Sequence, residues 1–170
     1  MTAHQFFLWI ETTAFSMWVR ESLSMFAFPG ILTAHTVGMG IVAGVNTLVD
    51  MRILGVVPKV PLFEMRRYFP VMWFGFWLNA VSGVALLIGY PTKALTNPLF
   101  YVKLAFIALA VVLLRRIQRQ VFAEAPAQPR LPTVSERRLA GWSIFCWAAV
   151  IFAGRFLAYT YSKLTSLEHG

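Results

Sequence analysis

FAFPGILTAHTVGMGIVAGVNTLVD, residues 26–50, decides the fold, because before Asp50 its one potentially ionisable side chain is His35. About 20 predominantly apolar residues cross a bilayer as a helix, and this stretch exceeds that length. Arg67 and Lys93 enclose a second stretch with no charged residue at all. Two further apolar segments follow, one carrying Lys103 and one carrying Arg155. The expected spans are about 26–50, 69–90, 98–118 and 139–162. This predicts an all-α integral membrane four-helix bundle, with residues 1–170 forming one membrane domain. Composition agrees: 58% of the residues are hydrophobic and 13% charged, against roughly 25% charged in soluble domains.

Residues 4–24 mix Phe6, Phe7, Trp9, Phe15 and Trp18 with Glu11, Arg20 and Glu21, which suits an amphipathic helix lying in the interface. Met1 to Val19 contains no Lys or Arg, so no cleavable signal peptide is expected. Pro29-Gly30 reads as a turn or kink at the entry to the first span. The single cysteine, Cys146, cannot form an internal disulfide.

Ten of the 15 Lys and Arg residues fall in two connections, 51–68 and 115–138. The positive-inside rule makes loops 51–68 and 119–138 cytoplasmic and puts both termini on the outer side of a bacterial cytoplasmic membrane. The same distribution accounts for a net charge of +8 without nucleic acid as a partner. The loop prolines Pro126, Pro129 and Pro132 read as an exposed linker.

Ionisable groups inside a bilayer usually face a bundle interior or a cavity and mark functional sites. At 1.5 Å per residue, His35, Lys103 and Arg155 all fall in the outer half, about 5, 6 and 7 Å from the midplane. No acidic side chain lies inside the spans to balance them, since Asp50 and Arg52 read as boundary charges paired with neighbouring loop bases. His35, Met39, Val42, Asn46 and Asp50 share one face of the first helix, which is expected to point inward. Gly40 and Gly44 lie on the opposite face at a spacing that permits close helix approach, and Gly75, Asn79, Ser82 and Gly83 form a second small-residue face. Asn46 and Asn79 read as interhelical hydrogen-bonding residues.

A neutral imidazole is a common metal or haem ligand, and haem propionates seek Lys or Arg. His35 is therefore the candidate axial ligand for haem b, with Lys103 and Arg155 near the propionates. The alternative set is a copper or small-solute site of His35 and Met39; the third reading is a structural or assembly subunit. For the second axial position Met72, a folded-back His4 or an open site remain. No nucleophile with a paired base, phosphate loop or metalloprotease spacing is present, so an autonomous enzyme is not expected. The expected partners are the lipid bilayer and a membrane redox or transport protein, with the oligomeric state open.

The runs Arg20-Glu21-Ser22, Ala34-His35-Thr36-Val37-Gly38, Val49-Asp50-Met51-Arg52, Asn97-Pro98 through Lys103, and Gly154-Arg155 through Tyr159 resemble, in order and over most of the chain, a family of small four-span bacterial membrane proteins of unknown function. That family is loosely similar to the membrane domain of copper-resistance protein D and to cytochrome b561-like bundles, which implies metal or haem. By this likeness His35, Asp50, Arg52, Lys103 and Arg155 occupy the family's polar positions. Many members carry a His near the cytoplasmic end of the third span, where this chain has Leu114-Arg115-Arg116-Ile117.

Overall fold

The computed structural model describes the backbone over residues 3–122 and 131–168, and side chains over 5–122 and 131–157. The described residues are helical throughout, with short connections. Two short helices, α1 (Ala3–Glu11) and α2 (Ala14–Glu21), precede four long ones: α3 (Phe28–Leu54), α4 (Phe69–Gly89), α6 (Pro98–Ile117) and α7 (Val134–Glu168). The α3–α4 link holds a 3-10 turn over Leu62–Tyr68, α5 (Pro91–Leu95) caps the far end, and α6 continues as a π-helical turn over Gln118–Phe122. All four long helices are apolar and long enough to cross a membrane, and most of each apolar surface faces outward. Such outward surface is what a bilayer covers. On α4 the exposed stripe is Phe74, Trp77, Val81 and Val84, at spacings that keep to one helical face.

The helix ends follow local chemistry. Pro29 stands in the first turn of α3, where its missing N–H costs nothing, and Pro70 and Pro98 do the same for α4 and α6. The expected kink at Pro29-Gly30 is therefore a helix start. Gly55, with φ of 87°, ends α3 in the left-handed conformation that a side chain disfavours. Asn97 caps α6 by accepting from the Leu99 amide at 3.0 Å. For α7, the Glu136 carboxylate accepts from the Thr133 amide at 2.7 Å while the Thr133 hydroxyl accepts from the Glu136 amide, a reciprocal capping box.

The interfacial segment is two helices, because Thr13 stops the first and caps the second by accepting from the Ser16 amide. This hairpin is fastened to the end of α4. Ser16 donates to the Gly89 carbonyl, Val19 packs where a Gly89 side chain would stand, and Glu11 accepts from the Thr92 amide while pairing with Arg20 at 3.5 Å.

α3 packs on α4 and α7, and α7 packs on α6. The α3–α4 approach is the closest. A side chain added at Gly38 would come within 2.6 Å of the Asn79 amide nitrogen, and one at Gly75 within 2.6 Å of the Ile41 side chain. The expectation that Gly40 and Gly44 form the close face is corrected: both are exposed and have nothing within 4 Å. Two residues turn a helix by about 200°, so Gly38 and Gly40 lie on opposite sides.

Buried side chains gather toward the end that carries the basic loops, here the basic half. One cluster joins Val42, Ala43, Met72, Ala110, Leu113, Leu114, Cys146 and Trp147 from all four long helices. A second joins Val49, Ile53, Met65, Ile117, Val121, Phe122 and Ala140. The opposite half, beside the α1–α2 hairpin, holds His35 and Lys103. The linker residues 123–130, the rings of Tyr159 and Tyr161, and the His4 side chain lie outside the description.

Candidate functional site in the hairpin half

His35 is held by α4. Its Nδ1 lies 3.0 Å from the Asn79 carbonyl oxygen and 3.2 Å from the Ser82 hydroxyl. Ser82 donates its own proton to the Leu78 carbonyl at 2.6 Å, so both near neighbours of Nδ1 act as acceptors. That places the proton of the neutral ring on Nδ1 and leaves Nε2 as the bare nitrogen. Asn79 then clamps the same turn by donating from Nδ2 to the His35 carbonyl at 2.7 Å. Gly83 makes room for the ring, since a side chain there would meet Cε1 at 3.1 Å.

Lys103 comes from α6 and is half-buried. Its Nζ lies 3.6 Å from where a side chain on Gly154 would begin, an ordinary contact distance, so the ammonium rests against this face of α7. Among the described residues no Asp or Glu oxygen lies within 4 Å of Lys103. His35 and Lys103 therefore stand in the same half of the bundle, and among the described residues Lys103 has no carboxylate partner.

Arg155 does not join them. It follows Gly154 directly on α7, about 100° further round the helix, and its side chain is exposed. Glu11 of the hairpin pairs with Arg20. Met39 stands on the inward stripe with His35 but packs against the first apolar cluster. Met72 is fully buried in that same cluster. It is 7 residues before Asn79 and 11 before Gly83, which puts it roughly 10–16 Å along α4 from the imidazole. No group of three or more His, Cys, Asp or Glu suited to a metal ion occurs among the described residues.

A second polar group lies in the basic half, and the reading of Asp50 as a boundary charge missed it. α3 runs on to Leu54, so Asp50 sits a full turn inside the helix and is 0% exposed. Arg52, its supposed companion, turns to donate from Nε to the Val60 carbonyl. Asn46 bridges Asp50 and Ser143 of α7, at 2.6 and 2.8 Å. The inward stripe of His35, Met39, Val42, Asn46 and Asp50 was the signal available in the sequence. Counting Asp50 as a helix end discarded it.

Comparison with family models, with curated proteins and with solved structures finds no match.

Proposed function

We propose that this multi-pass membrane protein is an accessory subunit that holds an anionic ligand in its hairpin half, with haem b the ligand whose chemistry uses both His35 and Lys103. The observation that carries this reading is an imidazole oriented through Nδ1 by a backbone carbonyl, in the same half of the bundle as an ammonium with no carboxylate within 4 Å. An Nδ1–H bonded to a carbonyl is the usual support of a ligating histidine, because it fixes the ring and leaves Nε2 to bind. Lys103 supplies the charge that a carboxylate-bearing group seeks. Neither Met39 nor Met72 is placed to act opposite His35, so the residues fit a group held by one protein ligand. Haem b supplies one-electron chemistry when bound; this chain's part is to orient the ring nitrogen and to offset negative charge.

On this reading the membrane is the bacterial cytoplasmic membrane, with loops 51–68 and 119–138 inside, and the resemblance to copper-resistance protein D and cytochrome b561-like bundles points the same way. Packing of Met39 into the apolar cluster favours haem over a copper site. The test is the absorption spectrum of detergent-purified protein supplied with haem. A Soret band is expected that His35→Ala abolishes and Lys103→Met weakens. Protein that stays colourless after reconstitution sinks the haem reading.

A structural role has one specific observation behind it, the two bonds that tie His35 and Asn79 across the α3–α4 contact. It predicts that His35→Ala lowers thermal stability and changes no spectrum.

A further inference from the structure

The Asp50, Asn46 and Ser143 group sits in the opposite half and takes no part in the site above. Fifteen residues of α3 separate Asp50 from His35, about 22 Å along the axis. Asp50 and Ser143 are 0% exposed and Asn46 is 1% exposed. With the Asn46 amide nitrogen turned toward both neighbours, two buried oxygens, Asn46 Oδ1 and Asp50 Oδ1, have no hydrogen-bond partner.

The charged groups of the surrounding elements do not answer this. Arg52 on α3 is engaged with Val60, Arg115 on α6 lies over the Trp73 ring, and Arg116 and Arg119 are exposed. Glu64, Arg66 and Arg67 of the 3-10 turn are exposed, as are Arg137 and Arg138 of α7, and Glu136 caps its own helix. Cys146 on α7 is buried in the first apolar cluster, and α4 carries no charged residue. Among the described residues no Lys, Arg or His nitrogen lies within 4 Å of Asp50. An ionised carboxylate here would be a buried charge without a mate, which is strongly unfavourable.

The distances point to another arrangement. N–H···O bonds centre near 2.9–3.0 Å and O–H···O bonds near 2.7–2.8 Å. The 2.6 Å between the amide end and Asp50 is short for N–H···O and suits oxygen facing oxygen, while the 2.8 Å to Ser143 suits either atom. Nitrogen and oxygen of an amide have nearly the same shape, so a half-turn of the Asn46 amide interchanges them without disturbing the packing. Its oxygen then accepts from a protonated Asp50 and from the Ser143 hydroxyl. Either arrangement leaves two buried atoms without a partner, Asp50 Oδ1 and the outer atom of the Asn46 amide, but only the first also buries a bare charge.

We propose that Asp50 is a proton site: it holds a proton at neutral pH, donates it in a hydrogen bond to the Asn46 side-chain oxygen, and exchanges it with the aqueous phase at the basic end. Two readouts test this on the full-length protein in nanodiscs. Infrared spectra at pH 7 should contain the carbonyl stretch of a protonated carboxyl that shifts on ¹³C-aspartate labelling and is missing in Asp50→Asn. A membrane-soluble carbodiimide, which reacts with protonated carboxyls, should label Asp50 in the wild-type chain, as mapped by peptide mass, and labelling should fall as pH rises. Peptide mapping needs no variant, so a poorly folding Asp50→Asn does not spoil the test. Absence of both the band and the adduct overturns the proposal. Protection of Asp50 by sodium chloride at constant pH also overturns it, because the site would then be one for a metal cation.

Discussion

The two halves of the bundle solve opposite problems. In the basic half, aliphatic and aromatic side chains from every long helix close over one acid. In the hairpin half, glycines and small polar groups bring α3 against α4, and two basic groups are left half-buried. An unmatched carboxyl therefore stands at one level and an unmatched ammonium at another, too far apart to neutralise each other. Close packing leaves a proton as the natural companion for the acid, whereas Lys103 in the hairpin half is only half-buried. The contrast teaches that charge inside a bundle is answered according to how tightly its neighbours pack.

The largest effect that would break this contrast is at the helix contact shared by both halves. Gly38→Leu should cost about 3 kcal/mol, the upper end of overpacking penalties, and show as loss of monodisperse protein in size-exclusion chromatography. Gly40→Leu, on the open side, should leave the elution profile unchanged. Next comes the acid: Asp50→Leu strips Asn46 and Ser143 of a partner and should destabilise by about 1–3 kcal/mol in thermal melts. Asp50→Asn, a near-isostere of the neutral acid, should cost much less. In the hairpin half, Gly154→Val should displace the Lys103 ammonium and weaken haem uptake several-fold in titrations while leaving the melting temperature within a few degrees. Smallest is the Glu11–Arg20 pair, partly exposed to solvent, whose removal by Glu11→Ala should cost less than about 1 kcal/mol by the same melts.

The four spans were legible from the sequence because length and apolarity decide them with no knowledge of packing. The inward stripe on α3 was legible too, since helical period alone orders His35, Met39, Val42, Asn46 and Asp50. Which glycines make the close contact was not. Small-xxx-small spacing identifies a face that permits approach, and the choice between Gly38 and Gly40 depends on which side of α3 the polar stripe commits to α4. The depth of Arg155 matched that of Lys103, but depth carries no rotation, and a single residue step past Gly154 turned it outward. Asp50 was misjudged for a different reason. A charged residue near a span end reads as a boundary by default, and only the continuation of α3 to Leu54 shows that it lies within.

The attachment of the α1–α2 hairpin has a mechanical result. Its fastenings, at Gly89 and Thr92, lie on α4 and the turn after it. The amino terminus is thus a pointer riding on one helix pair: a dye placed there, read against a second on the α6–α7 pair, would register any rocking between the two.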